Sequence, residues 1–283
     1  MICGVFRKTI DRFPGLSEKR LQSRTGMCYN EDKPPNGVTP MSSFVLKLIA
    51  AVTMFIDHAG LLLFPEWEFM RIIGRLAFPI YAFCIAEGFR YTRNRKLYFL
   101  RVFLLGLVCQ IVYTVVDRQL YLGILIVFSI SILLMALLDS FKQAMRGQPS
   151  AVGIRLAKLL RVETIPNTND RIINGCLLTA SVLTALLLCM KVDVDYGFFG
   201  ILLPVFTSIF EDRPRRLVMF TATLLALSID LTAGGFIYQF WCLLAVPLIA
   251  VYNGRPGKYR MKYFFYIFYP AHLVFLYALD MLL

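Results

Sequence analysis

The sequence predicts an all-α, polytopic integral membrane bundle of about nine transmembrane helices, and three observations predict it. Of the 283 residues, 58% are hydrophobic and only 17% charged, against roughly 25% charged in soluble domains. Mean hydropathy is +0.65, an excess of apolar surface that must face something other than water. Finally, apolar runs of about 20 residues, the length that crosses a bilayer core, recur along the chain.

Taken in order, residues 1–43 are expected to form a flexible, basic cytoplasmic tail. They are broken by Pro34, Pro35, Gly37 and Pro40 and lack the continuous apolar core of a signal peptide. Met41 directly precedes the first apolar run, which makes it a second candidate start of translation; N-terminal sequencing of the natural protein distinguishes the two. Residues 44–283 form the membrane domain, with spans expected near 44–64, 69–89, 97–116, 120–138, 172–190, 196–210, 216–233, 235–252 and 263–283.

Loop charge tests this reading. The connections RYTRNRK at 90–96, the long segment 140–171, EDRPRR at 211–216 and NGRPGKYRMK at 253–262 are basic. The alternate ones, PEWE, DRQ at 117–119, KVDVD at 191–195 and the turn at Gly234, are neutral or acidic. That alternation fits nine spans in a plasma or inner membrane with the N-terminus cytoplasmic, because Lys and Arg concentrate in cytoplasmic loops. The net charge of +12 therefore belongs to loops at a lipid surface, and nucleic acid is excluded as a partner. Within the long loop, AVGIRLAKLLR at 151–161 suits either a short helix on the anionic inner leaflet or a solvated connector. YLGILIVFSI at 121–130 faintly echoes FFGILLPVFTSI at 198–209, too weakly to establish a repeat. The seven cysteines show no metal or redox spacing, and no metal site is expected.

Ionisable residues inside a lipid-embedded span cost roughly 2.5–3.5 kcal/mol each on insertion scales, so each marks a candidate site. The first span, FVLKLIAAVTMFIDHAGLLLF, carries Lys47, Asp57 and His58. Lys47 and His58 share a helix face about 16 Å apart, and Lys47 is placed to snorkel. Asp57 and His58 diverge by about 100° and cannot orient one another within a regular helix. In the second span, Arg71 and Arg75 stack one turn apart, an arrangement suited to phosphate or carboxylate. Pro79 interrupts the helix there, and Glu87 lies near the inner end. The chain's other histidine, His272, falls in the last span, and histidine is the side chain best suited to proton transfer near neutrality.

LKLIAAVTMFIDHAG, RIIGRLAFPIYAFCIAEGFRYTRN, DYGFFGILLP and YNGRPGKYRMKYFFYIFYPAHLVFLY together resemble the blocks of TraX-type membrane proteins, from about Phe44 to the C-terminus. The resemblance implies acetylation chemistry with acetyl-CoA or another acyl-CoA as donor, the TraX activity being associated with the pilin N-terminus. It also implies a distant similarity to membrane O-acyltransferases of cell-surface polysaccharides. There a first-span histidine is catalytic, matching His58; arginines serving acyl-CoA match Arg71 and Arg75; a tyrosine-rich motif ending in histidine matches Tyr269 and His272.

The expected activity is thus membrane-bound acyl transfer to an amine or hydroxyl acceptor, with membrane lipids and acyl-CoA as partners. His58 serves as general base, with Asp57, His272 and Glu87 in the catalytic group. Arg71, Arg75 and Tyr269 bind the donor, which Arg93, Arg95, Lys96, Arg255 and Lys258 gather at the inner loops. The rival expectation is a transporter. In that case Pro79, Pro204, Pro247 and Pro270 mark broken helices along a substrate path, and the buried charges relay ions or protons.

Overall fold

The structure, a computed structural model, describes residues 41–117, 121–255, 257 and 262–282. The tail 1–40, and with it most of the expected cytoplasmic segment, lies outside the described residues, as does Lys258. What is described is all-α apart from one two-residue strand pair.

The chain runs through α1 (Ser43–Leu62), α2 (Glu68–Gly74), α3 (Ala77–Tyr91), α4 (Arg95–Asp117), β1 (Tyr121–Leu122), α5 (Ile124–Met145), α6 (Ala151–Leu160) and α7 (Asn167–Lys191). It continues through β2 (Asp193–Val194), α8 (Gly197–Thr207), α9 (Arg213–Ala233), a 3₁₀ helix (Ile237–Leu244), α10 (Ala245–Ala250) and α11 (Lys262–Asp280). The core joins α3, α5, α8 and α9 through fully buried side chains such as Ile80, Ile132, Ile201, Leu203 and Phe220. Ser131 Oγ donates to the Ile201 carbonyl at 2.8 Å and locks α5 to α8. Outside this core the surface stays apolar: Ile111, Leu187, Met190, Ile267 and Val274 are all more than half exposed, as lipid-facing residues are.

Among the described residues, five helical stretches are long and apolar enough to cross a membrane: Ser43–Leu62, Glu68–Tyr91, Ile124–Met145, Asn167–Lys191 and Arg213–Ala233. The protein is therefore a helical membrane protein. Gly197–Thr207, Ile237–Ala250 and Phe264–Asp280 are apolar but shorter. With 11 residues, α8 reaches only about 16 Å along its axis, roughly half the hydrocarbon thickness. It begins at the turn where Tyr196 and Gly197 both take left-handed backbone, each at φ 58°, and stops at Thr207. The apolar run 235–252 is divided into a 3₁₀ helix and a short α-helix.

The connections sort to two ends. Arg90 donates to the Glu211 carbonyl at 2.8 Å, Arg146 pairs with the Glu211 carboxylate at 2.8 Å, and Arg95 pairs with Asp139. Arg213 donates to the Ala250 carbonyl, while the Ser43 amide donates to the Arg255 carbonyl at 2.9 Å. The start of α1 and segments of all four basic connections thus meet at one end. The hydrogen bond from Arg146 holds the Glu211 carboxyl below its usual range. At the other end β1 and β2 pair in parallel, Tyr121 opposite Asp193.

The basic segment 151–161 forms α6, capped by Ser150, whose Oγ accepts from the Gly153 amide at 2.8 Å. A buried latch of Ser150, Asp170 and Asn174 fastens this helix to α7, with Ser150 Oγ donating to Asp170 at 2.7 Å. Ile154, Leu159 and Leu160 are exposed, as are Arg155 and Lys158 on the same helix.

Candidate active site

The site begins where α2 crosses α1. Pro79 has no N–H to give the Arg75 carbonyl, and the second apolar run breaks at Arg75–Leu76 between α2 and α3. The break leaves both arginines turned onto α1. Arg71 Nη1 lies 3.0 Å from Asp57 Oδ1 and Arg75 Nη2 3.3 Å from the same oxygen. Arg71 also donates to the Asp57 carbonyl at 3.2 Å, and Arg75 Nε to the Arg71 carbonyl at 3.3 Å. Each guanidinium has five N–H donors, so these acceptors leave several unspent. Asp57 therefore serves the arginines and not its neighbour's ring, as the helical divergence of residues 57 and 58 requires.

The crossing depends on Gly74, because a Cβ there would fall on the Asp57 side chain. Gly74→Ala should dislodge Asp57 from both arginines and lower stability by about 1–3 kcal/mol, the usual cost of overpacking. Thermal unfolding in detergent measures this.

His58 and His272 come together across α1 and α11, His58 Nδ1 lying 2.9 Å from His272 Nε2. His272 Nδ1 sits 2.8 Å from the Phe268 carbonyl, one turn earlier. A carbonyl only accepts, so Nδ1 of His272 carries the proton and Nε2 of the neutral ring accepts from His58 Nδ1–H. By the same logic the free nitrogen of neutral His58 is Nε2, bearing a lone pair. His272 is 4% exposed and stacks on Phe268, with ring centroids 5.0 Å apart; Tyr269 meets its ring edge at 5.9 Å.

His58 lines a cavity of about 1130 Å³, whereas His272 stands behind it. The cavity also takes in Asp57, Arg71, Arg75 and Tyr269 and extends to residues at both ends of the bundle. Lys47, Thr92 and Arg101 line it toward the end where the basic connections meet; Tyr121, Asp193 and Asp195 line it toward the other. Tyr196 is held against the cavity in its left-handed backbone by stacking on Phe78, with centroids 3.7 Å apart. Burial pushes the neighbouring Asp195 carboxyl up to about 6.

Several expected residues are elsewhere. Glu87 does not join the histidines: it is buried outside the cavity lining and pairs with Arg216 at the start of α9. Arg93, Arg95, Lys96 and Arg255 are exposed and do not line the cavity, Arg95 being held by Asp139. Among the described residues the cations that do line its far end are Lys47 and Arg101, and the second drew no attention in the sequence because it falls one turn inside an apolar helix. Gln239, hydrogen-bonded to Arg75 at 3.4 Å, was equally hidden: a neutral amide in an apolar run raises no charge signal.

A helical bundle with apolar walls, enclosing paired histidines and two carboxylate-bridged arginines, defines a polytopic membrane protein with a buried polar site. Within that class, residues 42–280 match the family described as TraX protein, and the chain belongs to the TraX family. Among curated proteins it is similar to the probable fimbrial assembly protein FimC, serogroup H1, of Dichelobacter nodosus: 26% identity over 260 residues, covering 86% of this chain and 97% of the relative. It is also similar to an uncharacterized protein of Rickettsia prowazekii, 40% identical over 75 residues, 26% of this chain and 28% of the relative. No solved structure matches the chain.

Proposed function

We propose that this protein is a membrane-embedded acyltransferase that moves an acyl group, most simply acetyl, from acyl-CoA to an amine or hydroxyl acceptor. The observation that carries the reading is the Phe268 carbonyl–His272–His58 chain, which leaves a basic nitrogen of His58 on a cavity also lined by Arg71 and Arg75. A base whose tautomer is set by a second buried group is the arrangement used to activate nucleophiles.

In the proposed step His58 Nε2 takes the proton of the acceptor N–H or O–H as the acceptor atom attacks the thioester carbonyl. The new C–N or C–O bond forms, the carbonyl oxygen takes up negative charge, and the guanidinium donors left over from Asp57 offset it. Collapse breaks the C–S bond. The departing thiolate recovers the proton from the His58 imidazolium, so the products are acylated acceptor and free CoA thiol. His272 positions His58 throughout and touches neither substrate.

In membrane terms the reading is nine crossings of the cell membrane with the N-terminus cytoplasmic. Supporting it, all four basic connections converge on the end where α1 begins. His58 then lies about 22 Å from that end, fifteen residues up α1. A cytoplasmic donor reaches it through the cavity, its phosphates meeting Lys47 and Arg101 and its acyl end meeting Arg71 and Arg75. The relative named for fimbrial assembly makes a surface-assembled protein one reasonable source of the acceptor amine.

The transporter reading draws on the same feature, a cavity lined from both ends. Reconstituted vesicles given acetyl-CoA labelled in the acyl group, with membrane extract as pooled acceptor, separate the two. Label fixed in an acceptor in step with CoA release is the expected result. Label crossing the membrane with the thioester intact, and none transferred, would establish transport instead.

A further inference from the structure

Gln239 is the buried polar group whose hydrogen bonding is left incomplete at this site. It lies in the 3₁₀ helix Ile237–Leu244, is 1% exposed, and lines the cavity. Its Oε1 accepts from Arg75 Nη1 at 3.4 Å. That contact fixes the amide's orientation, since the reverse would set an N–H₂ group against a guanidinium that only donates. Nε2 is therefore left with its two N–H donors and no oxygen or nitrogen acceptor among the described residues. Its polar neighbour, the Cys242 thiol, offers one of these donors only a weak sulfur acceptor and lies 3.2 Å from Ser228 Oγ.

Buried donors are almost always satisfied, and an orphan beside a cation in a cavity calls for an acceptor from outside the chain. Two N–H donors set beside a guanidinium favour an oxygen with two lone pairs and no competing hydrogen of its own. A phosphate would call for more cationic neighbours than one neutral amide and one shared guanidinium, whereas a carbonyl, which turns anionic only during reaction, matches this pair. We propose that Gln239 Nε2, together with Arg75, holds the carbonyl oxygen of the transferred acyl group and stabilises the oxyanion formed there. This rests on the acyl-transfer reading and assigns the residue that recognises the acyl carbonyl.

The test uses the full chain in detergent with two ligands, acetyl-CoA and its thioether analogue S-ethyl-CoA, which keeps the nucleotide and loses the carbonyl. Titration calorimetry should show wild type binding acetyl-CoA more tightly than the thioether. Gln239→Glu keeps an acceptor for Arg75 but removes both Nε2 donors; Gln239→Leu removes donors and acceptor alike. Both variants should lose the preference for the thioester, raising KM by that same factor, and drop kcat by about 10²–10³, as removal of one oxyanion donor does. Unfolding curves identify which variants are folded. Retention of kcat by Gln239→Glu and its loss in Gln239→Leu would mean that Gln239 merely supports Arg75, and would overturn the proposal. Equal binding of both ligands by wild type would also overturn it while leaving acyl transfer intact. Failure of wild type to bind either would remove the acyl-transfer reading itself, and this inference with it.

Discussion

Replacing His58 with alanine should cut acyl turnover by about 10²–10⁴-fold, the usual contribution of a positioned general base, while the protein still folds. The loss should fall on kcat, because the donor contacts assigned to Lys47, Arg101, Arg71 and Arg75 stay in place. The substitution leaves His272 Nε2 without its donor and, for the neutral pair assigned above, changes no charge. Thioester consumption in detergent, measured beside an unfolding curve, reads both effects. His272→Phe gives the complementary result. It removes the acceptor that fixes the His58 tautomer but not the base itself, so turnover should fall less than in His58→Ala. Equal turnover in wild type and folded His58→Ala would take His58 out of the mechanism while leaving acyl transfer in place.

Much of this site was legible because ionisable groups are expensive in apolar runs. Asp57, His58, Arg71, Arg75 and His272 each broke a hydrophobic span, and the structure brings all five to one place. Their division of labour was legible only in part. The angle between residues 57 and 58 showed that Asp57 must serve another partner, but the histidine pair spans 214 positions, a separation no local pattern encodes. Gln239 and Tyr196 were hidden for a different reason: neutral polar and aromatic residues carry no penalty large enough to stand out. Lys47 resembled a snorkelling cation and instead lines the cavity, as does Arg101. The fold class followed from composition, whereas span lengths did not. Apolar content alone cannot reveal that α8 stops at Thr207, or that residues 237–244 wind as a 3₁₀ helix.

Glu87 shows how a charge within a span can be structural. Glu87 and Arg216 are each 7% exposed and pair directly, Arg216 also donating to the Thr207 carbonyl at 3.3 Å and lying over the Phe83 ring. In sequence Arg216 closes a basic loop; in the structure it turns inward and ties the start of α9 to α3. Glu87→Ala should destabilise the protein by about 3–5 kcal/mol, the cost of stripping a buried charge of its partner, because a guanidinium cannot escape by losing its proton. Arg216→Met combined with Glu87→Ala should recover much of that loss, since an apolar side chain of similar length replaces the uncompensated charge. A double-mutant cycle of unfolding in detergent measures the coupling. Turnover per folded molecule should stay near wild type in the double variant, because neither residue lines the cavity that holds His58. Loss of turnover in folded double variant would return Glu87 to the reaction and require that α3 shift to carry it there.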